Sequence, residues 1–155
     1  MSVSESYNFK AIHSTLTTSG VINAEQLQQL KPEGYGGVIN LLPQDSEYAT
    51  VQEAELVTRQ QLNYTYIPVD FAAPANEDYQ QFEQAMQSWE KRSDNTGLHV
   101  HCAANYRVSA FIAIYGYRHW DWTTEQVKTH VTSIWNPQEH PQWVSFLQQF
   151  VADYQ

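Results

Sequence analysis

The chain has only one cysteine, Cys102, so it can build neither an intramolecular disulfide nor a cysteine-rich metal site. Positive charge is scarce too: eight Lys and Arg stand against 17 Asp and Glu, a formal net charge of −9. A field of that sign repels phosphate backbones and anionic lipid, which argues against nucleic acid and membrane surfaces as partners. No apolar run approaches the roughly 20 residues a membrane span needs. The opening MSVSESYNFK has no basic start followed by an apolar core, so no secretory signal and a cytoplasmic location are expected. No repeat, low-complexity tract or linker-like stretch divides the sequence, and residues 1–155 read as one domain. Apolar residues make up 42% and aromatics 14%, enough for a well-filled core without staples.

What is present alternates between helical and strand-like patterns. NAEQLQQL opens with Asn23 and places Gln26 three residues on, a capping-box spacing, with Gly34 available to stop the helix. GVINLL (37–42) and YTYIPV (64–69) are short β-branched runs bounded by turn residues, as buried strands are. Between them TVQEAELVTRQQL repeats the capping spacing with Thr50 and Glu53. In YQQFEQAMQSW, Tyr79, Phe82, Met86 and Trp89 share one helical face and are assigned to the core. LHVH then reads as a strand, RVSAFIAIYGYRHW as a helix, and two further helices follow. One is capped by Thr123 and Gln126, and the other opens at Pro141. Strands separated by helices predict an α/β protein, with a central, mostly parallel sheet flanked by helices on both faces.

The chemistry concentrates in LHVHCAANYRVSAF, residues 98–111. Its order is strand, short loop, helix, and ligands bind where strands end in open α/β sheets. A loop entering a helix N-terminus offers unpaired N–H groups and a positive dipole end, both of which stabilise an anion. A cysteine placed there should have a lowered pKa and act as a nucleophile near neutral pH. Arg107, one of only four arginines, adds a planar fork of donors suited to a tetrahedral oxyanion. The competing reading is a packed core cysteine with a surface arginine nearby.

VHCAANYRVSAF resembles the signature loop of the cysteine-dependent protein phosphatases: His-Cys, a short run, Arg, then Ser or Thr. GVINLLP and YIPVDFAAP look like the strands that lead into the active-site half and the general-acid loop of dual-specificity phosphatases. LTTSGVINAEQLQQLKPEGYGGVINL is similar to the opening of a bacterial family of uncharacterised phosphatase-like proteins, also found fused to β-lactamase-like hydrolases. The resemblance runs from about residue 12 to 135. It implies a dual-specificity-phosphatase-like fold and a hydrolase of phosphomonoesters, acting through a phosphocysteine intermediate without metal or cofactor. Phosphotyrosine on a peptide, or a small aryl or alkyl phosphate, would be the substrate.

Carried over, Cys102 is the nucleophile. The amides of Ala103, Ala104, Asn105, Tyr106 and Arg107, with the Arg107 guanidinium, cradle the phosphoryl oxygens. His101 orients the loop and helps keep the sulfur ionised, and Ser109 hydrogen-bonds the departing thiolate. Asp70, 102 − 70 = 32 residues earlier, is the candidate general acid on a loop that could move over the site. Glu77 and Asp78 are its competitors.

One departure stands out. Four residues, not five, separate Cys102 from Arg107, although Ser109 keeps its usual place. Either Val108 occupies the arginine position and Arg107 is displaced, or the loop is tightened and the helix starts early. Asn105 replaces the usual glycine, and asparagine tolerates left-handed backbone better than most residues. The same spacing suits a rhodanese-like sulfurtransferase carrying a Cys102 persulfide. A catalytically impaired phosphate-binding module is the third option. His99 and His101 alternate along a strand and are read as facing opposite sides, unable to share a metal, while His119, His130 and His140 lack ligand spacing. Tyr106, inside the loop, could narrow the pocket or stack on an aryl phosphate. Trp120 and Trp122 are assigned to packing at a helix corner.

Overall fold

A computed structural model describes residues 1–155. The element order is β1 (Lys10–His13), β2 (Leu16–Ser19), α1 (Ala24–Leu27), β3 (Tyr35–Asn40), α2 (Glu53–Thr58), β4 (Asn63–Tyr66), α3 (Asn76–Glu90), β5 (Gly97–His101), α4 (Tyr106–His119), α5 (Thr124–Thr132) and α6 (Pro141–Phe150). The five strands form one sheet in the order β1-β2-β5-β3-β4. All neighbours pair in parallel except the β1–β2 hairpin. This is the expected α/β architecture, extended by two short strands that the sequence reading did not contain.

Alternation along β3 divides the interior. Ile39 enters a large core with residues of α3, α4, α5 and α6, and Val38 enters a smaller one with Leu27 of α1 and Val57 of α2. Helices therefore cover both faces, which is why a parallel sheet is stable here. The helix α4 is apolar nearly all round, with every residue from Val108 to Gly116 buried. It is the central helix of the larger core and carries the cysteine loop at its start. No helix is long and apolar enough to cross a membrane.

Several caps form as read. Asn23 Oδ1 accepts from Gln26 N at 2.8 Å, Thr123 Oγ1 accepts from Gln126 N at 3.1 Å, and Pro141 opens α6. Gly34 takes φ +96° in the turn before β3, a conformation that costs glycine least. The helix α1, however, ends after one turn at Leu27. The Thr50–Glu53 capping pair does not form. Gln52 is the N-cap with φ 63°, Thr50 donates to Ile22 O at 2.6 Å, and Glu53 is buried against His101. At the α4–α5 corner Trp122 covers Gly116, where a Cβ would sit 2.5 Å from the indole.

Candidate active site

Cys102 lies just past the C-terminal end of β5, the central strand, where Cys102 N donates to Ser19 O at 3.3 Å. Its residue is 1% exposed, so burial by itself does not separate a nucleophile from a core thiol. The backbone that follows supplies a second observation. From Ala103 to Val108, six consecutive amides have no hydrogen-bond acceptor in the protein, and the first bond of the new helix runs from Ser109 N to Asn105 O at 2.9 Å. Four of these residues, Ala103, Ala104, Tyr106 and Arg107, are partly exposed.

The loop's carbonyls are held elsewhere: Ala103 O accepts from Val21 N at 2.9 Å, and Ala104 O from Asn8 Nδ2 at 3.0 Å. Fastening carbonyls by their oxygens turns the peptide N–H groups the opposite way. A run of amides so arranged, at the positive end of α4, is an anion nest. Gly20 makes the approach possible, because a Cβ there would meet Ala103 O at 2.5 Å and Ala104 Cα at 2.8 Å.

Asn105 takes φ 70° and ψ 6°, the left-handed conformation the sequence allowed for. The helix begins at Tyr106, Val108 is fully buried, and Arg107 is half-buried at the surface. The loop has therefore tightened by one residue, and the arginine rather than Val108 faces outward. Arg107 Nη1 donates to Val69 O at 3.2 Å, and its guanidinium lies 5.4 Å from the Phe71 ring centroid. That uses one of five N–H donors and leaves four for a ligand.

Asp70 is exposed and shares with Arg107 an open depression of about 470 Å³ that Pro43, Ser46 and Phe71 also line. Asp70 Oδ1 accepts from Ala72 N at 3.0 Å, and Oδ2 has no partner in the protein. This loop is fastened: Phe71 O accepts from Trp143 Nε1 at 2.8 Å, and the Phe71 ring packs against Tyr106, Trp135, His140 and Trp143. The competitors Glu77 and Asp78 start α3 and do not line the depression. Burial holds the Asp78 carboxyl above its ordinary range, and Ala75 N partly offsets this.

His101 is buried, with Nε2 2.6 Å from Glu53 Oε2 and Nδ1 3.3 Å from the Cys102 carbonyl. The ring thus braces the backbone of Cys102 against the buried Glu53 carboxyl group. Contrary to the reading of opposite faces, His99 and His101 stand on the same face with ring centroids 6.2 Å apart. Residues two apart on a strand must do so. His99 is fully buried between Thr17 Oγ1 and Ser19 Oγ, each at 2.8 Å, and burial, reinforced by His101, holds its pKa well below the usual histidine range. Because Ser19 Oγ donates to Gly20 O, His99 Nε2–H is the donor to Ser19. Ser109 donates to Tyr106 O and accepts from Trp135 Nε1, both at 2.8 Å, so its proton is committed within the loop in this state. Tyr106 stacks flat on Trp135, with centroids 4.5 Å apart and planes within 7°.

Sequence reasoning missed Glu53, Trp135, Trp143 and Asn8. Only Glu53 had a signal, and its capping spacing pointed to the wrong partner. A second depression, of about 250 Å³, lies at the other end of the sheet among His13, Trp89 and Arg92, away from the cysteine loop.

No protein-family model matches the chain, and no curated protein does. Solved structures do. A phosphatase-like DUF442 protein of Shewanella putrefaciens CN-32 superposes with a TM-score of 0.83 at 32% identity, covering 96% of this chain and 92% of that one. The chain belongs to the DUF442 phosphatase-like family. More distant structures share the fold: TpbA of P. aeruginosa, solved with pTyr (TM-score 0.71, 13% identity, 91% and 83% coverage), and the core catalytic domain of the PP-IP phosphatase SIW14 of S. cerevisiae (0.69, 14%, 97% and 86%). This DUF442 chain thus shares the α/β fold of these phosphatases.

Proposed function

We propose that this protein hydrolyses phosphomonoesters in two displacements at phosphorus. The Cys102 thiolate attacks, the S–P bond forms and the P–O bond to the leaving group breaks, while Asp70 delivers a proton to the departing oxygen. Water then attacks the phosphocysteine, giving a proton back to Asp70, and the S–P bond breaks to release inorganic phosphate. The amides of Ala103 to Val108 and the free donors of Arg107 hold the three non-bridging oxygens through both steps. Such fixed donors stabilise charge as it develops without having to reorganise. His101, braced on Glu53, fixes the carbonyl of the nucleophile, and Ser109 reaches the thiolate by rotating away from Tyr106 O.

The observation that carries this reading is the run of six amides without acceptors beside the only cysteine. A core cysteine would need no such run, and unpaired amides are costly where nothing binds them. Asp45 and Asp70 at the mouth, with the net charge of −9, disfavour substrates carrying several phosphates. A phosphorylated peptide or a small phosphomonoester fits better, and the pTyr bound to the fold neighbour TpbA is of that class.

The test is hydrolysis of nitrophenyl phosphate without added metal. The expected result is turnover blocked by vanadate and abolished in Cys102→Ser, with a phosphoryl adduct on Cys102 after acid quench. Full turnover in the serine variant would end the mechanism. Thiocyanate formation from thiosulfate and cyanide, with a sulfur adduct on Cys102, would replace it with sulfur transfer.

A further inference from the structure

Asn105 occupies the N-cap of α4, where an asparagine side chain ordinarily accepts a hydrogen bond from the second or third helical amide, here Arg107 N or Val108 N. It does not do so. Its Nδ2 donates instead to Asn8 O at 2.8 Å and to Thr18 Oγ1 at 3.1 Å, and its Oδ1, fully buried, has no partner at all. An orphaned carboxamide oxygen next to orphaned amides is two unsatisfied groups that could satisfy one another. Something prevents them from meeting. On the other side of the contact, Asn8 also adopts left-handed backbone, with φ 52°, and sends its own Nδ2 to Ala104 O at 3.0 Å. The two asparagines form a reciprocal clamp across 97 positions of the sequence.

From this we infer that Asn8, with Thr18, is a positioning residue that keeps Asn105 from capping its own helix and so keeps the anion nest open. Two arrangements of the loop compete. In one, residue 105 is left-handed, its side chain is tied to Asn8 and Thr18, and the amides of Arg107 and Val108 are free. In the other, residue 105 is extended, as N-caps usually are, and its Oδ1 consumes one of those amides. The second arrangement satisfies more hydrogen bonds within the loop but closes the site to a phosphoryl group. The clamp selects the first, and the orphaned Oδ1 is the polar group this leaves unpaired. The inference rests on the proposed phosphatase reading, since it assigns the nest to a phosphoryl group, but it concerns residues the phosphatase loop itself does not contain.

Asn8→Gly tests it, because glycine accepts φ 52° but removes the side-chain bond to Ala104 O that holds the residue-8 backbone, and with it the carbonyl that receives Asn105 Nδ2, against the loop. Vanadate inhibition should weaken by about tenfold, the scale of one lost supporting hydrogen bond, with kcat/KM for nitrophenyl phosphate falling in step. A crystal structure of the variant should show Asn105 Oδ1 within hydrogen-bond distance of Arg107 N or Val108 N. In an Asn105→Gly background the same substitution should cause no further loss, because glycine has no oxygen with which to cap. An equal loss in both backgrounds, or an Asn105 still turned away from its helix, overturns the inference. If Asn8→Gly unfolds the N-terminal segment, Thr18→Val, which removes one of the two acceptors of Asn105 Nδ2, is read in the same way. A wild-type protein with no vanadate-sensitive turnover would refute the phosphatase reading itself. An active wild type with an unaffected Asn8→Gly refutes only the clamp.

Discussion

The cysteine loop and the Asp70 loop, the two flanks of the proposed site, are held in place by different forces. On the nucleophile side, hydrogen bonds from Asn8 and Val21 fix the carbonyls of the cysteine loop, and Ser19 O receives the amide of Cys102. On the acid side, the Asp70 loop is held by rings packed around Phe71, with one indole N–H on its carbonyl. Hydrogen bonds are directional, so they suit a flank whose task is to aim dipoles. Aromatic packing fixes position while leaving a neighbouring side chain free to turn. That suits the role proposed for Asp70, of giving a proton to one oxygen and taking it from another.

If the flanks differ in this way, they should fail differently. Gly20→Ala should do the most damage, since its Cβ would meet Ala103 O at 2.5 Å and Ala104 Cα at 2.8 Å, both backbone atoms that cannot step aside. Turnover should fall by about 100-fold as the amides are displaced, the scale of losing one well-placed oxyanion donor. Overpacking should cost about 1–3 kcal/mol of stability in denaturant titration. Wild-type turnover in this variant would show that the loop's position is not what the flank supplies.

Trp143→Phe should act on the other flank and more gently on turnover. One aromatic ring stays, but the N–H on Phe71 O is lost and the missing half of the buried indole leaves a cavity, together about 2–3 kcal/mol of stability. Turnover of an alkyl phosphate, which needs the acid, should fall by about tenfold while that of nitrophenyl phosphate hardly changes. An equal loss for both substrates would mean that the acid loop is not what Trp143 supports.

The smallest effect serves as a control away from both flanks. His130, on α5, faces β1, where burial and then the Lys10 ammonium push its pKa down to about 4. The unfolded chain, titrating near 6.5, binds the proton first as pH falls, so stability is present above 6.5 and drains away between 6.5 and about 4. Over the first pH unit below 6.5 the loss from this group is about 1 kcal/mol. His130→Gln should flatten the dependence of melting temperature on pH by that share, with His99 contributing the same sign in both proteins. A steeper profile in the variant would contradict the sign.

How far the sequence could carry the reading follows from the same contrast. Elements with a local signature were legible: the strands read at 37–42 and 64–69, although they run over Tyr35–Asn40 and Asn63–Tyr66, the Asn23 and Thr123 caps, and the apolar face of α3. The tightened loop could be posed as one of two geometries but not chosen, because the choice depends on Val108 being wholly buried. The strands β1 and β2 were invisible, since KAIH and LTTS are short and polar, and become strands only by pairing. Glu53, Trp135 and Trp143 carry no local mark of their roles. Their partners His101, Ser109 and Phe71 lie 48, 26 and 72 positions away.

Asn8 touches Ala104 and Asn105 across separations of 96 and 97 positions, and β2 lies beside β5 rather than beside its successor in the chain. Closing so distant a contact is among the slower events in folding, because most of the intervening chain must be ordered first. The segment made earliest therefore waits for one made late. Residues 8 and 18 can take their places against the cysteine loop only after residue 105 has been made.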